Sequence, residues 1–199
     1  MEKKEIKTMK KLMALLLAGA MVFGCVACGN GGQEETQPQA EILDAKDLLT
    51  QAWDIYGEDE KFFAMGGHFE APVDNGPGTY DLAKAEDLEI SYCIPADAIA
   101  MVDDAATIMH AMNANNFSAA AYHVTDAANT QTIIDGIKDK TINNQWLCGF
   151  PEKLIIVTVG QDYIVSAFGS TDIVDNFYDK LVEVYGTEAA LSVEENLAE

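Results

Sequence analysis

Two β-branched runs near the C-terminus, Lys153 to Val159 and Tyr163 to Phe168, flank Gly160-Gln161-Asp162. This pattern predicts an antiparallel hairpin with a glycine-started turn. The remaining periodicity supplies helices to cover it. Leu43, Leu48, Leu49, Ala52, Trp53 and Tyr56 recur at helical spacing and Gly57 closes the pattern. Leu88 to Ile94 reads as a strand stopped at Pro95. Asp97 then caps a helix to about Met112, whose apolar arc through Ile99, Val102, Ala106 and Met109, widened by Met101, Ala105 and Ile108, implies burial on two sides. Phe117 to Val124 reads as a strand of small residues. Asp126 caps a helix to about Asn143 with Ile133, Ile134, Ile137 and Ile142 inward, and Thr171-Asp172 opens a last one with Ile173, Phe177, Leu181 and Val184 inward, ended by Gly186. Glu58 to Asp81 lacks clear periodicity and contains turn chemistry at Gly66-Gly67 and Asp74-Asn-Gly-Pro-Gly78, fitting either a functional loop or short strands. The expected fold class is α+β, a two-layer sandwich with helices on one face of a small mixed or antiparallel sheet. One such domain spans 41–186, and the acidic residues 187–199 are expected to fray as a tail.

Charge narrows the partners. Lys+Arg number 12 against 33 Asp+Glu, a formal −21, and all 12 are lysine. Phosphate and base-edge recognition depend on the arginine fork and on clustered positive charge, so nucleic acid is not an expected partner, nor are anionic headgroups. The acidity does not form a calcium loop: neither the frame from Asp54 nor that from Asp74 places oxygen donors at alternate positions with glycine sixth and glutamate twelfth.

The positive charge is concentrated at the start. Lys3, Lys4, Lys7, Lys10 and Lys11 precede the apolar run Leu12 to Ala27, which is short of the ~20 residues a spanning helix needs. That is the signature of an export signal. Its end, Val22-Phe-Gly-Cys25-Val-Ala-Cys28-Gly-Asn-Gly-Gly, resembles the lipobox of bacterial lipoproteins, in which the acylated cysteine becomes the first residue of the mature chain. Cys28 has Val26-Ala27 before it and a glycine-rich stretch after it; Cys25 is the alternative. The reading is therefore a signal peptide over 1–27, lipidation at Cys28, and a spacer over 28–40 without branched aliphatic or aromatic side chains. It puts the protein on the extracytoplasmic face of the cell membrane, held by its lipid anchor. From Cys28 onward seven lysines face 31 acidic residues, a formal −24 over 172 residues. The Cys25-x-x-Cys28 spacing is no redox motif here, because it lies within the signal, not after a strand at a helix start.

Candidate chemistry is sparse. Cys93 and Cys148 sit among apolar neighbours, where separate buried thiols or a bridge between them both fit. His68, His110 and His123 lack the short paired spacing of zinc ligands and would have to meet through the fold. Phe168-Gly169-Ser170 is half of a nucleophile elbow, and Gly76-Pro77-Gly78 leads into no Lys-Ser/Thr. No cofactor is called for.

The runs Asp104-Ala-Ala-Thr-Ile-Met-His-Ala-Met-Asn-Ala-Asn-Asn116, Ala120-Ala-Tyr-His-Val124 and Gln145-Trp-Leu-Cys-Gly-Phe-Pro-Glu-Lys-Leu154, with Ala167-Phe-Gly169, resemble a family of Firmicutes lipoproteins with a domain of unknown function. Some of its members are labelled bacteriocin transport accessory protein. The likeness covers residues 41 to 186 and implies no catalytic residues. Two expectations follow. The first is a membrane-anchored accessory or binding lipoprotein with a membrane or secreted protein partner, linked to peptide export. The second is an extracytoplasmic metal-binding protein or enzyme using His and Cys side chains. In either case the pocket to test is His68, His110, His123, Trp146 and Cys148.

Overall fold

The computed structural model describes residues 40–112, 116–147 and 149–198. The signal, Cys25, Cys28, nearly all of the spacer, and Cys148 lie outside the described residues.

The expected hairpin is the centre of an antiparallel sheet. β6 (Lys153–Val159) and β7 (Tyr163–Gly169) pair from Lys153↔Gly169 to Val159↔Tyr163, and Gly160 takes the left-handed conformation (φ 62°) that the tight turn requires. β5 (Phe117–Val124) joins the other edge of β7, and β4 (Val102–His110) pairs with β5. Beyond β4 lie three short strands: β1 (Ala64–Gly66), β2 (Val73–Asp74) and β3 (Gly78–Thr79). These fill the stretch in which the sequence left loop and short strands both open. β8 (Ala189–Asn196) closes the far side, giving the order β2-β1-β4-β5-β7-β6-β8 with β3 also on β4.

The chain is an α+β sandwich built on an antiparallel sheet, and the sheet has eight strands and a helical layer on each face. On one face α1 (Ala45–Asp54) and α5 (Thr171–Tyr185) pack Leu48, Leu49, Phe177 and Leu181 against Ala119, Ala121, Val157 and Val165. On the other, α2 (Ala85–Tyr92), the single turn α3 (Ala96–Ile99) and α4 (Thr130–Ile142) pack Leu88, Tyr92, Ile133 and Ile137 against Ala120, Tyr122, Ile156 and Ile164. Successive residues of each central strand thus enter opposite cores, so these strands read as continuous apolar runs. Each fully buried leucine or isoleucine contributes about 1.5–3 kcal/mol. Tyr185 Oη donates to the Leu48 carbonyl at 2.9 Å, tying α5 to α1.

Three local expectations are corrected. Residues 88–94 are mostly helix: Leu88 and Tyr92, four apart, are buried while Ile90 is 68% exposed, so the apparent alternation was one helical face plus a solvent-facing isoleucine. The helix expected over 97–112 stops after one turn and becomes β4. Burial on two sides was correct, but a central strand achieves it with Ala105 and Thr107 on one side and Ala106 and Ile108 on the other. The tail expected over 187–199 is instead a 3₁₀ turn and edge strand β8, paired along the whole of β6.

Candidate functional site

The four described members of the expected pocket do not converge. His123, near the end of β5, lies opposite Asp104 in register, and its Nδ1 is 2.5 Å from Asp103 Oδ1. His110 lies six residues further along β4, about 20 Å away at strand rise. There its ring stacks on Phe62 (4.9 Å, 12°), its Nδ1 accepts the Met112 N–H at 3.0 Å, and desolvation lowers its pKa, holding it neutral. His68 follows β1. Its Nε2 meets Asp87 Oδ2 at 2.9 Å, its Nδ1 accepts the Glu70 N–H at 3.2 Å, and its ring stands edge-on to Tyr80. Trp146 packs on Phe168, on the sheet face opposite the His110 ring. Cys93 is a free thiol whose pKa burial pushes up. Among the described residues no group of three or more His, Cys, Asp or Glu is placed to hold a metal ion, and no helix is long and apolar enough to cross a membrane.

What the fold does assemble is one end of the sheet. Described residues of three connections meet there: Phe62-Phe63 ahead of β1, Ala111-Met112 and Asn116 between β4 and β5, and residues 143–147 and 149–151 between α4 and β6. In sequence the last two connections are uncharged as far as Glu152, whereas Glu58, Asp59, Glu60 and Lys61 lead into Phe62. Backbone hydrogen bonds hold their described parts together: Ala111 N to Phe63 O (2.8 Å), Ser170 N to Asn116 O (2.7 Å) and Glu152 N to Gly169 O (2.8 Å), while the Asn116 amide donates to Gly149 O. Exposed on this pole are Phe63 (56%), Met112 (57%), Leu147 (93%) and Phe150 (71%).

An open cleft of about 390 Å³ adjoins it, lined by Glu152, Lys153, Thr171, Glu194, Glu195 and Asn196. Glu152 Oε2 accepts the Thr171 N–H at 2.9 Å, which holds its carboxyl below the usual range. Lys153 Nζ sits 2.6 Å from both Asp175 and Glu194, and these partners raise its pKa. These residues were not singled out from the sequence; the signal beside them is the uncharged run 143–151 that leads into Glu152.

At the opposite pole Ala45 N donates to Asp104 Oδ2 at 2.7 Å beside the start of β4, and desolvation, seconded by Asp104, Asp44, Asp103 and Asp162, raises the pKa of Tyr163. No family model, curated protein or solved structure matches the chain.

Buried tyrosines set an alkaline limit on this architecture. Desolvation pushes Tyr80 and Tyr92 up to about 12, against about 10 in an unfolded chain. Because the folded value is the higher one, the stability these groups contribute is intact below pH ~10 and is lost as pH rises toward 12. Tyrosinate absorbance and loss of ellipticity should therefore appear together in that window; full titration of these tyrosines near pH 10 in a folded chain would contradict their burial.

Proposed function

We propose that the protein is a lipid-anchored extracytoplasmic lipoprotein that works by binding, as an accessory to peptide export, and that its working face is the pole that exposes Phe63, Met112, Leu147 and Phe150. The anchor reading rests on the lysine-led apolar run and on Cys28, with Cys25 as the alternative. A diacylglyceryl-cysteine carries two long chains at ~0.8 kcal/mol per buried methylene, sufficient for stable anchoring. The observation that carries the binding reading is the exposure of Phe63, Met112, Leu147 and Phe150 at one end of the sheet. Large apolar side chains gathered in solvent at one end of a fold mark interaction surfaces. The partner read for that pole is a membrane or secreted protein. The alternative, a metal site or enzyme built from the His and Cys side chains, draws no support from the separate placements of His68, His110 and His123.

Metabolic labelling with palmitate tests the anchor. Label is expected on the wild-type chain and lost on Cys28→Ala. Loss on Cys25→Ala alone would move the anchor to Cys25, and an unlabelled wild type would overturn the anchor.

A further inference from the structure

Resting on the reading of this apolar pole as the working face, we infer that it docks a cationic amphipathic peptide segment. The segment's apolar face lies on Phe63, Met112, Leu147 and Phe150, and a basic side chain enters the adjoining cleft.

The apolar part of the surface is made by described residues of three connections that the sheet's register brings to one end, and Glu58, Asp59 and Glu60 in the connection that leads to Phe63 add negative charge to one of them. Removing four large side chains from water supplies affinity but says nothing of sign. The cleft supplies the sign. Three glutamates line it against one lysine, and that lysine is already engaged by Asp175 and Glu194. Glu195 pairs with Lys138, whereas Glu152 is met by a backbone N–H and keeps its full negative charge. An ammonium or guanidinium group fits there; a carboxylate does not. The two features are contiguous, because Glu152 directly follows Pro151 and Leu197 N donates to its carbonyl at 2.7 Å.

The same charge excludes other occupants. A second copy would bring one −24 chain against another and one acidic cleft against its like. An anionic leaflet is repelled for the same reason. An apolar face flanked by positive charge is what remains, and a groove-docked amphipathic segment is an established way of presenting it.

The test uses the full chain in nanodiscs of zwitterionic phosphatidylcholine, with empty discs as the baseline. The probe is a labelled synthetic leucine–lysine amphipathic helix, compared by anisotropy with the same peptide in which every lysine is glutamate. The lysine peptide is expected to bind saturably and the glutamate peptide at least about tenfold more weakly. Leu147→Ser combined with Phe150→Ser, both on exposed side chains, is expected to weaken binding about tenfold or more. Glu194→Gln with Glu195→Gln is expected to weaken it and to flatten its salt dependence. If the glutamine variant melts early, the glutamate peptide and the salt series still decide. Equal binding of both peptides, unchanged binding to the serine variant, binding no greater than to empty discs, or dimerisation through this pole would each overturn the inference. Lost palmitate labelling with peptide binding retained sinks the anchor alone; retained labelling with no peptide binding sinks the docking alone.

Discussion

A chain ending at Gly186 is expected to be recovered as aggregate, with no cooperative thermal transition. β8 pairs with β6 from Lys153↔Asn196 to Val159↔Ala189, buries Ala189, and packs Val193 against the core beneath α4. Without it the outer edge of the sheet would be Leu154-Ile-Ile-Val-Thr-Val159, β-branched and uncharged. An edge of that composition is a template for strand addition by other copies. β8 protects it with Glu194 and Glu195 and with an irregular register between Ile156 and Val157, which bends the pairing away from a flat edge. The lost contacts also include the Lys138–Glu195 and Lys153–Glu194 ion pairs. Against a total stability of order 5–15 kcal/mol, removal of an entire strand leaves little. Light scattering and size-exclusion chromatography read the outcome directly; a monodisperse monomer with an unchanged melting temperature would show that these residues are the dispensable tail their acidity suggests.

That acidity is why β8 was illegible in the sequence. An edge strand with one face in solvent needs few apolar residues, and Ala189-Ala-Leu-Ser-Val-Glu-Glu-Asn196 buries only its first fully. At β4 the opposite holds: burial on both faces erases the alternation that separates strand from helix, so its apolar arc reads as helical. The β6–β7 hairpin was legible because its turn chemistry is local: Gly160 needs its positive φ whatever covers the strands. α1, α4 and α5 were legible because each has a single apolar stripe. Their distribution over two faces was not, since periodicity shows that a face is buried and not against what.

The candidate site was less legible than the fold. The histidines were selected by residue type, and each is engaged locally: His110 by Phe62 and the Met112 N–H, His68 by Asp87, His123 by Asp103. The pole depends instead on register, because Ala64↔His110, Phe117↔Gly169 and Lys153↔Gly169 bring connections that are distant in sequence to one end. Its local trace in the chain is the uncharged run 143–151, not a reactive side chain.

Gly66→Ala and Gly78→Ala are each expected to cost about 3 kcal/mol or more, and together much less than the sum. β1 and β3 share one edge of β4 in succession, with Gly66 opposite Ile108 and Gly78 opposite Thr107. Between them the chain leaves at Gly67 (φ 76°), whose N–H donates to Thr107 Oγ1 at 3.0 Å, and returns past Asn75 in the left-handed region (φ 60°). The two backbones therefore nearly touch. A Cβ on Gly66 would lie 2.5 Å from the Thr107 carbonyl oxygen and against the Gly78 nitrogen; one on Gly78 would lie 2.6 Å from the Gly67 nitrogen. All of these are main-chain atoms, which cannot swing aside as a side chain would, so β1 or β3 must leave β4. Once either alanine has parted them the other meets open space, hence the expected coupling. Gly160→Ala is the control, because its Cβ meets nothing within 4 Å and only the left-handed conformation (φ 62°) opposes it, at about 1–2 kcal/mol. Urea midpoints at unchanged slope measure all four chains. Because β1 also carries Phe63 to Ala111, Gly66→Ala should weaken peptide docking at the pole while Gly160→Ala leaves it intact. Fully additive costs for the two alanines would mean that the glycines serve separate constraints and that this hand-over between strands does not hold the pole in place.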